Sequence, residues 1–337
     1  MTPRQLVLDT LNFKNTGRAP SEVFYLPATE ARYPEFSRAL FEKWTDNQYV
    51  IGECSEKNPV VRGDPTKLGT SVDAWGCVFT NIKEGIMGEV KNPIVVEEDW
   101  SDVGNAYIPE DQLSFSIAKA NEECAKSDKF MVSLFTPRPF EQLQFIRGTE
   151  NLYMDLMDPS PKFLDFLEKM HDFYCRGLKK WAQTDVQMLR FMDDWGSQRS
   201  LLISPELWRK YFRPMYRDYI DIAHAAGKKV FMHSDGYILD ILPDLVDLGL
   251  DAVNAQIFCM GIENLRQFRG KITFWGEMDR QYLLPHGSVQ EIKDAVRKVY
   301  DNLWCDGGCV AYCEFGSDAK PENVEAMYET WNELTTH

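Results

Sequence analysis

The stretch Val186-Gln187-Met188-Leu189-Arg190-Phe191-Met192-Asp193-Asp194 is rich in strand formers. A long amphipathic run opens at Ser204-Pro205, and Gly227-Lys228-Lys229-Val230-Phe231-Met232-His233-Ser234-Asp235 follows it. Serine at the cap, proline at the first helical position and glycine just past the last one are the end signals of an α-helix. Between them Trp208, Phe212, Met215, Tyr219 and Ile222 recur every three to four residues, which makes one apolar face and reads as core packing. Strand, helix, strand in this order is a unit of a parallel sheet.

The alternation extends both ways. Strands are expected at 129–136, 250–256, 272–279 and 309–314, with an earlier one at 22–26. Helical stripes run through Val289, Ile292, Val296, Val299 and Leu303, and through Val324, Met327, Tyr328 and Trp331 beyond Pro321. Six such units, with room for two earlier strands, add up to an α/β fold, a (β/α)8 TIM-type barrel with an irregular N-terminal elaboration. Such a barrel takes roughly 250 residues plus insertions, so a single domain over 1–337 is expected. The least regular part, 40–125, with Gly63-Asp64-Pro65 and Glu97-Glu98-Asp99, is expected to decorate it. A doubly wound open sheet would want a glycine-rich phosphate turn, and none occurs.

Composition narrows the function classes. The chain has 337 residues, 37 basic and 52 acidic, for a formal net charge of -15, with 44% apolar residues. That suits a folded globular protein and argues against nucleic acid, which needs clustered Lys and Arg. No apolar run approaches the roughly 20 residues of a membrane span, so no membrane association and a cytoplasmic location are expected. Eight dilute cysteines read as free thiols. Cys305, Cys309 and Cys313 do not form an iron-sulfur site, because Gly307-Gly308 breaks the run and the spacing fits no cluster pattern.

Barrel enzymes place chemistry at the C-terminal ends of the strands. Here these are Thr136-Pro137-Arg138, Asp193-Asp194-Trp195-Gly196-Ser197-Gln198, His233-Ser234-Asp235-Gly236, Asn254-Ala255-Gln256, Glu277-Met278-Asp279-Arg280 and Cys313-Glu314. Alternation turns Phe231, His233 and Asp235 toward the barrel axis, with Val230 and Met232 toward the helices. It turns Trp275, Glu277 and Asp279 inward too. In 309–314 it puts Cys309, Ala311 and Cys313 inside and Val310 and Tyr312 outside; for Asp193-Asp194 both registers remain open. A mouth with His233, Asp235, Glu277, Asp279 and Cys313 offers the N, O and S ligands that zinc takes.

Several motifs resemble the uroporphyrinogen decarboxylase superfamily: Asp193-Asp194-Trp195-Gly196-Ser197-Gln198, Ile203-Ser204-Pro205-Glu206-Leu207-Trp208, Tyr211-Phe212-Arg213-Pro214, His233-Ser234-Asp235-Gly236, Phe274-Trp275-Gly276 and Pro321-Glu322-Asn323-Val324. The opening Thr2-Pro3-Arg4-Gln5 and Asp73-Ala74-Trp75-Gly76 fit as well. The resemblance covers nearly the whole chain and implies a (β/α) barrel. It also implies one of two chemistries: cofactor-free decarboxylation of uroporphyrinogen, or zinc-dependent methyl transfer with a separate corrinoid protein. Only part of the decarboxylase arginine segment is echoed, in Ala31-Arg32-Tyr33-Pro34-Glu35-Phe36, and Tyr312-Cys313-Glu314 stands where that branch has a histidine.

The methyltransferase branch fits better. Its zinc motif is similar to His-x-Cys-Gly plus a distant cysteine; His233 and Cys313 match, and Asp235 replaces the first cysteine. The resemblance therefore implies a methyltransferase acting between a small methylated substrate, or a thiol, and a corrinoid (cobalamin-type) protein. Zinc would sit at His233, Asp235 and Cys313, with Glu277, Glu314 or water as fourth ligand. Asp194, Glu277 and Glu314 are the expected catalytic carboxylates. Arg138, Asp193, Gln198, Gln256, Asp279 and Arg280 are the expected substrate contacts. A decarboxylase-type lyase is the alternative, a barrel that only binds a ligand is a third reading, and a homodimer is suggested by the decarboxylase branch alone.

Overall fold

The computed structural model describes residues 1–15 and 17–336. Its strands, in chain order, are β1 (Ser21–Tyr25), β2 (Asn47–Val50), β3 (Gly69–Val72), β4 (Val78–Asn81), β5 (Glu89–Val90), β6 (Phe130–Ser133), β7 (Met188–Met192), β8 (Lys229–Ser234), β9 (Ala252–Ala255), β10 (Thr273–Trp275) and β11 (Cys309–Phe315). Eight of them form one sheet in the order β1-β11-β10-β9-β8-β7-β6-β2, and every pair is parallel. β3, β4 and β5 make a separate antiparallel sheet. The ends of the large sheet meet where Asp46 N donates to Ser21 O at 2.9 Å and the Asp46 carboxylate accepts from Ser21 N at 2.8 Å and from both Arg18 Nη atoms at 2.7 Å. The result is a nearly closed TIM-type barrel with helices around it.

The strand 22–26 and the six after residue 129 lie where alternation placed them, shifted by a few residues. The remaining barrel strand is β2, inside the stretch expected as decoration. Asn47-Gln48-Tyr49-Val50 carries polar residues on a short strand, so it shows no apolar run.

Two cores follow from the pleat. Phe130, Val132, Met188, Phe231, Ala252, Trp275 and Val310 fill the barrel, joined by Val7 and Leu11 of the helix Pro3–Leu11. That helix closes the end where the strands begin, with Arg4 N bonded to Asp128 O and Gly308 N to Thr10 O. Each large side chain so buried contributes on the order of 1.5–3 kcal/mol. Outside, Phe140 stacks on Trp195 at 4.2 Å and Trp195 meets Phe212 at 4.8 Å, which pins the loop after β7 to the helix Pro205–Ala225. Among the described residues no helix is long and apolar enough to cross a membrane.

β8 and β10 face as alternation indicates, with Phe231 and Trp275 in the barrel and Val230, Met232 and Phe274 toward the helices. β11 is reversed: Val310 and Tyr312 point inward, and Cys309, Ala311 and Cys313 lie against the helix Pro321–Thr335. The helix side of β11 takes small residues because Tyr328 comes so close that its hydroxyl donates to Glu22 O at 2.7 Å. The barrel interior has room for the tyrosine.

Candidate active site at the barrel mouth

The loops after β7 and β8 cross at the C-terminal end of the barrel. Gly236 has φ +77, and a Cβ there would overlap the Gly196 carbonyl, so only glycine lets the two backbones pass. The loops are laced by Asp235 N to Asp194 Oδ1 at 2.9 Å, Trp195 N to Ser234 Oγ at 3.1 Å and Gly196 N to Asp235 O at 3.1 Å. On β7 the residues Met188, Arg190 and Met192 share the inner face, which sends Asp194 into the mouth and Asp193 outward.

His233 Nε2 lies 3.6 Å from Asp194 Oδ1 and 3.8 Å from Asp235 Oδ1. Ligand atoms of these three side chains all fall within 4.8 Å of one another, so one nitrogen and two oxygens could reach a single metal ion. The register of β8 on β9 sets Asn254 beside His233, and Asn254 Oδ1 bonds His233 Nδ1. Asn254 Nδ2 donates to Trp275 O at 2.6 Å, which fixes the amide so that its oxygen faces the ring. Nδ1 therefore donates to Asn254, and Nε2 is the nitrogen turned toward the two carboxylates. One nitrogen and two carboxylate oxygens turned toward one point are a donor set that fits zinc.

Arg280 ties the far side together. Its Nη2 lies 2.5 Å from Asp235 Oδ2, and its Nη1 bonds Glu314 and lies 3.6 Å from Glu277 Oε1. Burial pushes the Glu277 carboxyl up to about 8, with Asp235 and Glu314 adding to the rise and Arg280 opposing it. Gln256 Nε2 reaches Asp235 Oδ1 at 3.4 Å, and Gln198 Nε2 donates to Gln256 Oε1 at 2.7 Å. Asp279 accepts from Gln281 N and Tyr282 N at 2.9 and 2.8 Å, so it shapes the turn as well as lining a cavity of about 200 Å³ with Glu277, Arg280 and Gln256. On the opposite side Arg138 pairs with Glu141 at 3.2 Å. The Glu141 carboxyl is raised by burial, an effect that Arg138 opposes and the charge of Asp194 reinforces.

Two expected site residues lie elsewhere. Cys313 is fully buried on the helix side of β11, with its sulfur 3.8 Å from Tyr328 Oη, and burial pushes its thiol up to about 12. It does not join His233 and Asp235. Cys313→Ala should therefore leave metal content unchanged by elemental analysis and lower stability by about 1 kcal/mol in denaturant titration. Asp193 is also fully buried, in the wall: it accepts from Tyr216 Oη at 2.7 Å and Glu141 N at 2.8 Å, out of reach of a substrate in the mouth.

Asn254 and Glu141 also belong to the site. Asn254 carried a signal, an amide on an inward strand position beside a candidate ligand. Glu141 carried none, because it lies inside the helix Pro139–Arg147. All eight cysteines are free. A second grouping of donors, His171, Cys175 and Asp218, lies on the outer helices.

A nearly closed parallel barrel whose polar groups converge at the strand C-termini defines a TIM-barrel protein of the enzyme type. The chain belongs to the uroporphyrinogen decarboxylase (URO-D) family, whose model matches residues 66–334. A solved methyltransferase from Methanosarcina mazei shares its fold, with TM-score 0.69 and 16% identity over 99% of each chain. An endo-β-1,4-xylanase from Gloeophyllum trabeum aligns at TM-score 0.48 and 7% identity over 96% of this chain and 99% of that one. A D-psicose 3-epimerase aligns at 0.38 and 13% over 66% and 82%. No curated protein sequence matches the chain.

Proposed function

We propose that this protein is a methyltransferase of the URO-D family that moves a methyl group between a small methylated substrate and a corrinoid carried on a separate protein. The observation that carries this reading is the convergence of His233, Asp194 and Asp235, with His233 Nε2 turned toward both carboxylates. These three residues would hold zinc, with Asp194 taking the place expected of Cys313. Zinc there supplies Lewis acidity toward an oxygen, nitrogen or sulfur of the substrate.

The protein's own groups have distinct tasks. Asn254 keeps Nε2 free. Arg280 occupies Asp235 Oδ2, which leaves Oδ1 toward His233. Glu277, with its carboxyl near 8, is protonated at neutral pH and holds that proton on the wall of the 200 Å³ cavity for a departing oxygen or nitrogen. Without a metal, Asp194, Asp235 and Glu314 outnumber Arg280 at the mouth, which disfavours a polycarboxylate such as uroporphyrinogen on a metal-free protein.

Elemental analysis of the purified protein should find zinc at about one equivalent, retained in His171→Ala, which removes the outer grouping. Methylated donors should convert a reduced corrinoid to its methyl form, followed by absorbance. Conversion of uroporphyrinogen to coproporphyrinogen by metal-free protein would overturn the reading in favour of the decarboxylase.

A further inference from the structure

A cavity of about 400 Å³ opens on the other side of the mouth, lined by Ile51 and Gly52 after β2, Leu134 and Phe135 after β6, and Met192 at the end of β7. Its walls are aromatic: Trp75, Phe115, Phe135, Tyr174 and Trp181. Phe115 and Trp181 stack at 4.3 Å, and Gly52, at φ +68, brings the backbone against the Trp181 ring where a Cβ would collide. Two apolar side chains stand exposed at its rim, Ile51 at 68% and Leu134 at 41%.

The polar groups of this cavity are of mixed sign. Arg138 bonds Glu141 through Nη1 alone, and among the described residues its Nε and Nη2 donate to no protein atom. The Asp73 carboxylate accepts from Trp75 N, Cys77 N and Gln142 Nε2 at 2.9, 2.7 and 3.0 Å, which holds its charge in place. Gln142 and Tyr174, both wall residues, are buried with Oε1 and Oη lacking any partner. One guanidinium with a free edge thus sits among aromatic rings and two carboxylates, Asp73 and Glu141.

A plain anion would gain Arg138 but add to the negative charge. A plain cation would gain the rings and Asp73 but leave the guanidinium edge without a carboxylate. A molecule bearing both charges satisfies both sets. Its carboxylate meets the fork of Arg138, and an N-methylated ammonium meets ring faces, which attract such cations and also bury its methyl groups.

We infer that this cavity binds a small N-methylated amino-acid zwitterion of the trimethylglycine kind. As donor, such a molecule would lose one N–CH3 bond. The methyl carbon takes the electron pair of the reduced corrinoid for its new bond, and the nitrogen keeps the old pair as a neutral tertiary amine. This donor role rests on the proposed transfer function; the binding does not.

Calorimetric titration of the full-length protein, once stripped of metal with EDTA and once loaded with zinc, tests it. Trimethylglycine should bind with a Kd about tenfold or more below those of 3,3-dimethylbutanoate, which lacks only the positive charge, and choline, which lacks the carboxylate. Phe135→Leu, which keeps apolar volume but removes a ring, should weaken trimethylglycine by about fivefold and leave dimethylbutanoate unchanged. Arg138→Met should weaken trimethylglycine and not choline. Unchanged circular dichroism and thermal midpoint establish that both variants fold. Equal binding of dimethylbutanoate, tighter binding of 4-hydroxybenzoate, or no binding of trimethylglycine each overturns the inference. Binding without methyl transfer leaves the inference standing and sinks the transfer function; transfer from another donor with no trimethylglycine binding does the reverse.

Discussion

His233→Ala should lose bound zinc and cut methyl transfer by about a thousandfold or more, while the protein stays folded. The side chain is partly exposed at the mouth, so truncation leaves no cavity in either core. What it removes is the sole nitrogen among the converging donors, and Asp194 and Asp235 alone form a weak two-oxygen site. Asn254→Leu is the more informative companion. It leaves all three donors in place and removes the oxygen that holds the His233 ring, along with the amide's bond to Trp275 O. Groups in that position change metal affinity by about 10- to 100-fold, and zinc titration against a competing chelator reads the change directly. Asn254→Leu binding zinc as tightly as the wild type would show that something else orients His233.

Arg280→Met should destabilise the protein by about 3–5 kcal/mol near pH 8, because it leaves Asp235, Glu277 and Glu314 without their shared cation. The deficit should shrink toward pH 5, where buried Glu277 holds its proton. The wild type carries a milder form of the same dependence. Glu277 is buried, and its carboxyl near 8 lies above the ordinary glutamate value of about 4.5, so the folded state holds a proton that the unfolded chain releases. Between those two values stability therefore falls as pH rises, by several kcal/mol at the upper end. Glu277→Gln cannot titrate, and its denaturant midpoint should vary less with pH than that of the wild type. An identical pH profile in the two proteins would mean that Glu277 is already ionised in the fold.

Both predictions concern side chains that are near neighbours only across the sheet. His233 and Asp235 were recognisable because they share the inner face of one strand and end it. Glu277 and Arg280 were recognisable as polar residues ending another. Asp194 was a candidate whose direction remained open, since Met188 to Met192 carries apolar residues on both faces. Cys313 was misplaced for a related reason. Cys309, Ala311 and Cys313 are small enough for either side of β11, and the choice was made by how closely Tyr328 packs on that strand.

The amino-acid order by itself determined the repeated strand-helix units, hence the barrel, and the polar character of the strand ends, hence the face where chemistry sits. It did so because period-two and period-3.6 patterns and helix caps are local properties of the chain. The seam strand β2, the inward face of β7 and β11, the Asn254 brace on His233 and the pairing of Arg280 with three carboxylates were decided only by tertiary structure. Each depends on which residue of a neighbouring strand or helix arrives opposite, a distance in space that no spacing along the chain encodes.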